Sequence, residues 1–263
     1  MCRLTAYLGC PTLAAEIVTR PARSVIRQSF DARERLGGSG GQVYDLGNLN
    51  ADGFGLGWYD QDGDDFTPCV FTDVGPAWHN RNLHRLARKI RSPVIFAHVR
   101  AAGPGMDISQ NSCHPFEFGR YLFMHNGLVA GFKQIRRQLM RELSDCAYDF
   151  AIAHSASDSA LAFAIFIDLL DDPLASIPVS TLCAKLVRVI EKLCAACDAA
   201  GIRETSLLNF VVSDGNSMAA TRYVKNPEGC CGRAASLYFS SGTRFEAVDA
   251  GGGLAWLVKA LQA

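Results

Sequence analysis

Strand-type and helix-type periodicities occur along this chain in blocks, and the order of the blocks restricts the fold more than any other feature. Thr5–Leu8 begins a short apolar strand, and Gly53–Tyr59 (GFGLGWY) alternates small with large residues, as a strand packed closely on another layer does. Pro93–Val99 and Tyr121–Met124 are further apolar runs of strand length. Asn82–Ile90 carries Leu83, Leu86 and Ile90 at helical spacing. Helical signals then dominate the middle of the chain. Phe132–Leu143 is a basic amphipathic helix, and Ser157 or Asp158 caps a helix running to Leu170. Leu182, Leu186, Ile190, Leu193 and Cys197 mark another. Strands return at Leu207–Val212 and Met218–Tyr223, which flank a hairpin turn at Ser213–Ser217 (SDGNS), and again at Ser236–Ser240. Helices grouped between strands predict α+β layers and not a doubly wound sheet. Gly37–Gly41 (GGSGG) reads as a flexible loop, with turn residues continuing to about Asp52. No segment reads as a linker, so residues 1–263 are expected to form one domain.

Composition removes several classes of function. Hydrophobic residues make up 49% of the 263, enough for a sizeable core, and 26 basic side chains balance 26 acidic ones. That balance argues against a nucleic-acid partner. No run of 18 apolar residues is present, so no membrane span is expected, and the N-terminus lacks the pattern of a secretory signal. The ten cysteines follow no disulfide-framework spacing and read mostly as reduced, buried thiols of a cytoplasmic protein. Cys194 and Cys197 form a C-x-x-C, but the pair sits inside a helical pattern, and Cys230–Cys231 are adjacent, so no structural zinc is expected. Gly53, Gly55 and Gly57 do not have the spacing of a phosphate-binding loop. No metal or other cofactor is expected.

Four places carry chemistry. Removal of Met1 would put a thiol and a free α-amine on Cys2, and the amine, with an ordinary pKa of about 7.7–8.0, can take the thiol proton without a separate histidine. Arg100 follows the apolar run in Phe96–Arg100 (FAHVR), where its planar fork suits a carboxylate. In Met124–Gly127 (MHNG), the Asn126 side-chain amide and the Gly127 backbone N–H can point at one developing negative charge, although Asn-Gly alone is also simply a turn. In Ser157–Ser159 (SDS) the Asp158 carboxylate is placed to bind an ammonium, beside the plain helix-capping reading.

In order and spacing, these residues resemble the class II glutamine amidotransferases, N-terminal-nucleophile hydrolases. The resemblance runs from Cys2 to about Leu170, through Cys2–Arg3, Asn50–Tyr59 (NADGFGLGWY), Ala97–Arg100, Cys113–Phe116 (CHPF), His125–Gly127 and Ser157–Ser159, with a weaker echo at Ala235–Thr243 (ASLYFSSGT). It looks closest to a subgroup of γ-glutamyl amidohydrolases that includes the yeast glutathione-degradation amidotransferase subunit and the ergothioneine-pathway hydrolase, of which Arg20–Phe30 (RPARSVIRQSF) is typical. The resemblance implies a four-layer αββα sandwich. It also implies Cys2 as nucleophile, Asn126 and Gly127 as oxyanion hole, Arg100 on the substrate α-carboxylate and Asp158 on its α-amine. The substrate implied is a small γ-glutamyl amide, glutamine or a γ-glutamyl peptide or amine such as glutathione. The chain departs from the family at Gly131, where Asn is common, and at Ala160, where an acidic residue is common.

Two other readings compete. A glutaminase subunit supplying ammonia would need a partner subunit for the synthase step, and a non-catalytic homologue would serve as a scaffold. Intact Cys2, Arg100, Asn126 and Asp158 argue against the second, and the presence of Met1 decides whether the α-amine is in place at all.

Overall fold

A computed structural model describes residues 2–31, 49–60, 66–103 and 106–242. Two antiparallel sheets form its centre. The first has the order β1 (Arg3–Leu13), β4 (Arg91–Val99), β2 (Phe54–Tyr59), β3 (Pro68–Asp73). The second has the order β5 (Phe116–Phe118), β6 (Tyr121–Leu128), β7 (Ser206–Ser213), β8 (Met218–Ala220), with β9 (Val224–Lys225) also paired to β7.

Period-two alternation divides each strand between two cores. On β4, Ile95, Ala97 and Val99 pack with Phe54, Leu56 and the helices α1 (Ala14–Val18), α2 (Val25–Gln28) and α3 (Arg81–Ala87). Val94 and Phe96 turn the other way and meet Leu122, Met124 and Val211 of the second sheet. On the far face of that sheet, Tyr121, Phe123, Leu208, Phe210 and Val212 pack against α4 (Phe132–Arg141), α5 (Asp145–Ala153), α6 (Asp158–Asp168) and α7 (Val179–Ala199). The layers are therefore helix, sheet, sheet, helix, the expected αββα order.

The glycines of Gly53–Tyr59 explain how the sheets approach. Phe54, Leu56 and Trp58 face the first helical layer. Gly55 and Gly57 face the other sheet, where a Cβ on Gly55 would run into the His114 carbonyl oxygen and one on Gly57 would lie 2.7 Å from Pro115 Cγ. Side chains at these positions would force the layers apart.

Other expectations need correction. Ser236–Ser240 is not a strand. Just before it the Ala234 and Ala235 carbonyls accept from the Arg222 and Asn209 side chains, and within it Tyr238 and Phe239 are exposed. The strand expected over Met218–Tyr223 ends at Ala220. The Gly37–Gly41 loop and the end of the Ala235–Thr243 echo lie outside the described residues. Gly131 has φ +60 and caps α4, a left-handed conformation that Gly and Asn tolerate best, and a Cβ there would meet Ile202.

Candidate active site

Strand register assembles the site at one open end of the sandwich. Arg3 pairs with Val99, which sets Cys2 opposite Arg100 just beyond the ladder. The Cys2 thiol lies 3.4 Å from the Ala101 N–H and 3.7 Å from the Ala101 carbonyl, within one residue of Arg100. Burial is the main influence on the thiol and pushes it up; the Ala101 N–H and the Arg100 charge pull it down, and the Asp158 carboxylate pushes it up again. The charges of Arg100 and Asp158 thus both act on Cys2, although Asp158 is 156 residues away in sequence.

Arg100 is buried and held by its backbone. Its N–H donates to the Gly53 carbonyl at 2.8 Å, and its own carbonyl accepts from Asp52 N–H at 3.2 Å. The Asp52 carboxylate accepts from Ala102 N–H at 2.8 Å and fixes the chain just after Arg100. The guanidinium reaches only the Asp52 carbonyl, at 3.5 Å, and among the described residues no carboxylate pairs with it. A buried guanidinium with most of its donors unspent is suited to a carboxylate ligand.

The second sheet supplies Asn126 and Gly127. His98 Nε2 donates to the His125 carbonyl at 3.3 Å and joins β4 to β6 across the sheets. Along a strand the N–H and C=O of one residue point to the same side, so His125 and Gly127 share an orientation. The His125 carbonyl faces His98, so the Gly127 N–H is directed to that same side, away from β7. There β5 pairs with β6 only as far as Phe123, and no described strand covers β6 beyond it. Asn126 points the other way in the pleat from Met124's outer neighbours, into the space between the sheets. It is buried, and its Oδ1 has no hydrogen-bond partner among the described residues.

Asp158 opens α6, with Ser157 as N-cap accepting from Ala160 N–H at 3.1 Å. One carboxylate oxygen accepts from Val129 N–H at 3.0 Å, just past Gly127, and the other from Ser159 N–H at 2.8 Å. Ser155 and Ala156 immediately before this cap have φ of 59° and 42°, a costly conformation for residues with a side chain.

Several polar residues here were not singled out from the sequence. Besides His98 and His125 they are His114, Ser159 and Asn209. The His98 and His114 rings are 4.4 Å apart, and His98 Nδ1, both nitrogens of His114 and Asn209 Oδ1 are buried without partners. Burial pushes His98 down to about 3 and His114 well below the ordinary histidine range. The signal was present, since each of FAHVR, CHPF and MHNG contains one of these histidines. Of the cysteine pairs, Cys197 is buried and Cys194 half-buried on α7, whereas Cys230 and Cys231 are exposed. Among the described residues no cluster of three metal-ligating side chains occurs, and no helix is long and apolar enough to cross a membrane.

The sequence pattern of the class-II glutamine amidotransferases matches residues 42–226. This chain belongs to that family. It is 38% identical over 260 residues to the probable glutamine amidotransferase DUG3 of Saccharomyces cerevisiae, covering 93% of this chain and 69% of that protein. It is 33% identical over 129 residues to the gamma-glutamyl-hercynylcysteine sulfoxide hydrolase of Mycolicibacterium smegmatis, a match that spans about half of each, 49% of this chain and 52% of the other. A glutamine aminotransferase class-II domain protein from Silicibacter pomeroyi superposes with a TM-score of 0.56 at 26% identity, covering 85% of this chain and 77% of that one. The two stacked antiparallel sheets are the architecture of this class II family, which accords with an amide-hydrolysing enzyme.

Proposed function

We propose that this enzyme hydrolyses the γ-amide bond of glutamine or another γ-glutamyl amide, with Cys2 as nucleophile after removal of Met1. The observation that carries this reading is the convergence on the Cys2 thiol of a buried guanidinium, with no carboxylate partner among the described residues, and a carboxylate, Arg100 and Asp158. A glutamate head group carries one carboxylate and one ammonium, and these two residues are complementary to it.

The Cys2 sulfur attacks the γ-carbonyl carbon, and the α-amine of the same residue takes the thiol proton. The charge that develops on the carbonyl oxygen is met by the Asn126 side-chain amide and the Gly127 N–H. The C–N bond breaks, the departing nitrogen takes the proton from the α-ammonium, and a γ-glutamyl thioester remains on Cys2. Water attacks the thioester carbon, releasing glutamate and restoring the thiol. Because burial raises the thiol, the resting group is protonated at neutral pH and needs that internal base. Cys113 is less suited to the role, since it has no α-amine of its own to serve as base and its thiol donates to the Ser109 carbonyl at 3.4 Å.

One relative is named as a probable glutamine amidotransferase and another for hydrolysis of a γ-glutamyl compound, so both kinds of substrate belong in the test. The test is glutamate release from a panel of γ-glutamyl amides by protein whose N-terminus has been verified by intact mass. Release from at least one substrate, abolished by Cys2→Ala, is expected. Ammonia release only in the presence of an added protein would favour a glutaminase subunit, and absence of any release would favour a scaffold.

A further inference from the structure

The bonds around Asp158 involve a second pair of residues. His125 Nε2 lies 3.0 Å from the Leu207 carbonyl, which can only accept, so that nitrogen carries the proton. Burial pushes His125 down and keeps it neutral, and Nδ1 is then an acceptor for the Ser159 hydroxyl at 2.8 Å. The Ser159 Oγ is also 3.3 Å from Asp158 Oδ1, and the adjoining Ser159 N–H donates to that same oxygen at 2.8 Å. On the other side, Asp158 Oδ2 accepts from Val129 N–H. The first turn of α6 is therefore fastened twice on either side of Asn126–Gly127, to β6 at His125 and to the residue just past its end, Val129.

We infer that His125 and Ser159 are positioning residues which hold the Asp158 carboxylate in register with Asn126–Gly127, so that one γ-glutamyl group reaches the ammonium reader and the oxyanion donors together. The inference rests on the substrate reading given above. The bond joins two wholly buried groups, and loss of the hydroxyl leaves His125 Nδ1 without a partner and α6 fastened on one side only. The carboxylate keeps its two backbone donors, so the defect is one of placement and falls on the group that meets Asp158, the substrate ammonium.

Calorimetric titration with L-glutamate and with glutarate, which has the same two carboxylates and no ammonium, tests this. Wild type is expected to bind L-glutamate more tightly. Ser159→Ala is expected to lose about tenfold in L-glutamate affinity and less than about twofold for glutarate, the loss corresponding to about one hydrogen bond's worth of placement. Ser159→Thr, which keeps the hydroxyl, is expected to restore most of it, and His125→Asn, which keeps an acceptor near the Nδ1 position, part of it. In turnover, Ser159→Ala is expected to raise KM by more than it lowers kcat. Equal losses for both ligands, or L-glutamate binding within twofold of wild type, would overturn the positioning role while leaving the substrate reading intact. Wild type that binds L-glutamate no better than glutarate would instead remove the ammonium assignment of Asp158, and this inference with it.

Discussion

Acidification should destabilise this fold through two buried histidines, three of whose four ring nitrogens have no hydrogen-bond partner among the described residues. His98 and His114 are buried side by side, and the folded state holds them neutral, His98 down to about 3 and His114 well below its ordinary value. The sign follows from the unfolded chain, where histidine takes up a proton near pH 6.5. Above that value neither state is protonated and the stability is fully present; below it the unfolded state gains protons that the folded state refuses, so stability falls with pH. At about pH 5 the unfolded chain gains about 2 kcal/mol for each such histidine, or about 4 kcal/mol for the pair. That is a large part of the ~5–15 kcal/mol that holds a typical domain folded. Burial also lowers His125 and His154, which act in the same direction, whereas burial raises Glu117, which acts in the opposite one. Urea unfolding followed by circular dichroism at about pH 7 and about pH 5 measures the difference. His114→Phe keeps a ring against Phe116, whose centroid is 4.4 Å away, and removes one titrating group, so it should cut the acid penalty by about 2 kcal/mol. A wild-type loss below about 1 kcal/mol, or a variant that loses as much as wild type, would refute the reasoning.

Arg100→Lys and Asp158→Asn should each cost roughly 30- to several-thousand-fold in kcat/KM, by a similar factor for every γ-glutamyl amide tested, because both read the shared half of the substrate. Losses within threefold of wild type would count against the assignment. Since burial raises the Cys2 thiol and the α-amine must be neutral to accept its proton, kcat/KM should climb through about pH 7–8; a rate flat across that interval would exclude the α-amine as base. Gly55→Ala should destabilise by ~2 kcal/mol or more, seen as a fall of several degrees in Tm, because its Cβ meets the His114 backbone carbonyl just before β5; an unchanged Tm would show that the layers can part at little cost.

The layer order was legible because it depends on patterns that survive in sequence. GFGLGWY shows its close-packed face as alternate glycines, the cap at Ser157–Asp158 gives the start of α6, and the stripe from Leu182 to Cys197 lies within α7. Elements with weak stripes escaped notice. On α5 the buried face includes two alanines, Ala147 and Ala151, which give little hydrophobic contrast. The Ser236–Ser240 segment shows the opposite error, since an apolar run need not be a strand, and here Tyr238 and Phe239 are exposed. For the site, Cys2, Arg100, Asn126, Gly127 and Asp158 could be named because motif and charge type are local. The histidines inside those motifs could not be assigned roles, since their burial and their partners depend on the packing of two sheets and leave no periodic trace.

The most direct test of the central claim is the site of covalent capture by a glutamine analogue with a diazoketone in place of its γ-amide. An active thiol displaces nitrogen from such a reagent and keeps the remaining carbon skeleton as a stable thioether. Peptide mass spectrometry of processed protein should place one adduct on Cys2, lost in Cys2→Ala and strongly slowed in Arg100→Lys. An adduct on Cys113 or another thiol with Cys2 unmodified, or inactivation that persists in Cys2→Ala, would contradict the account.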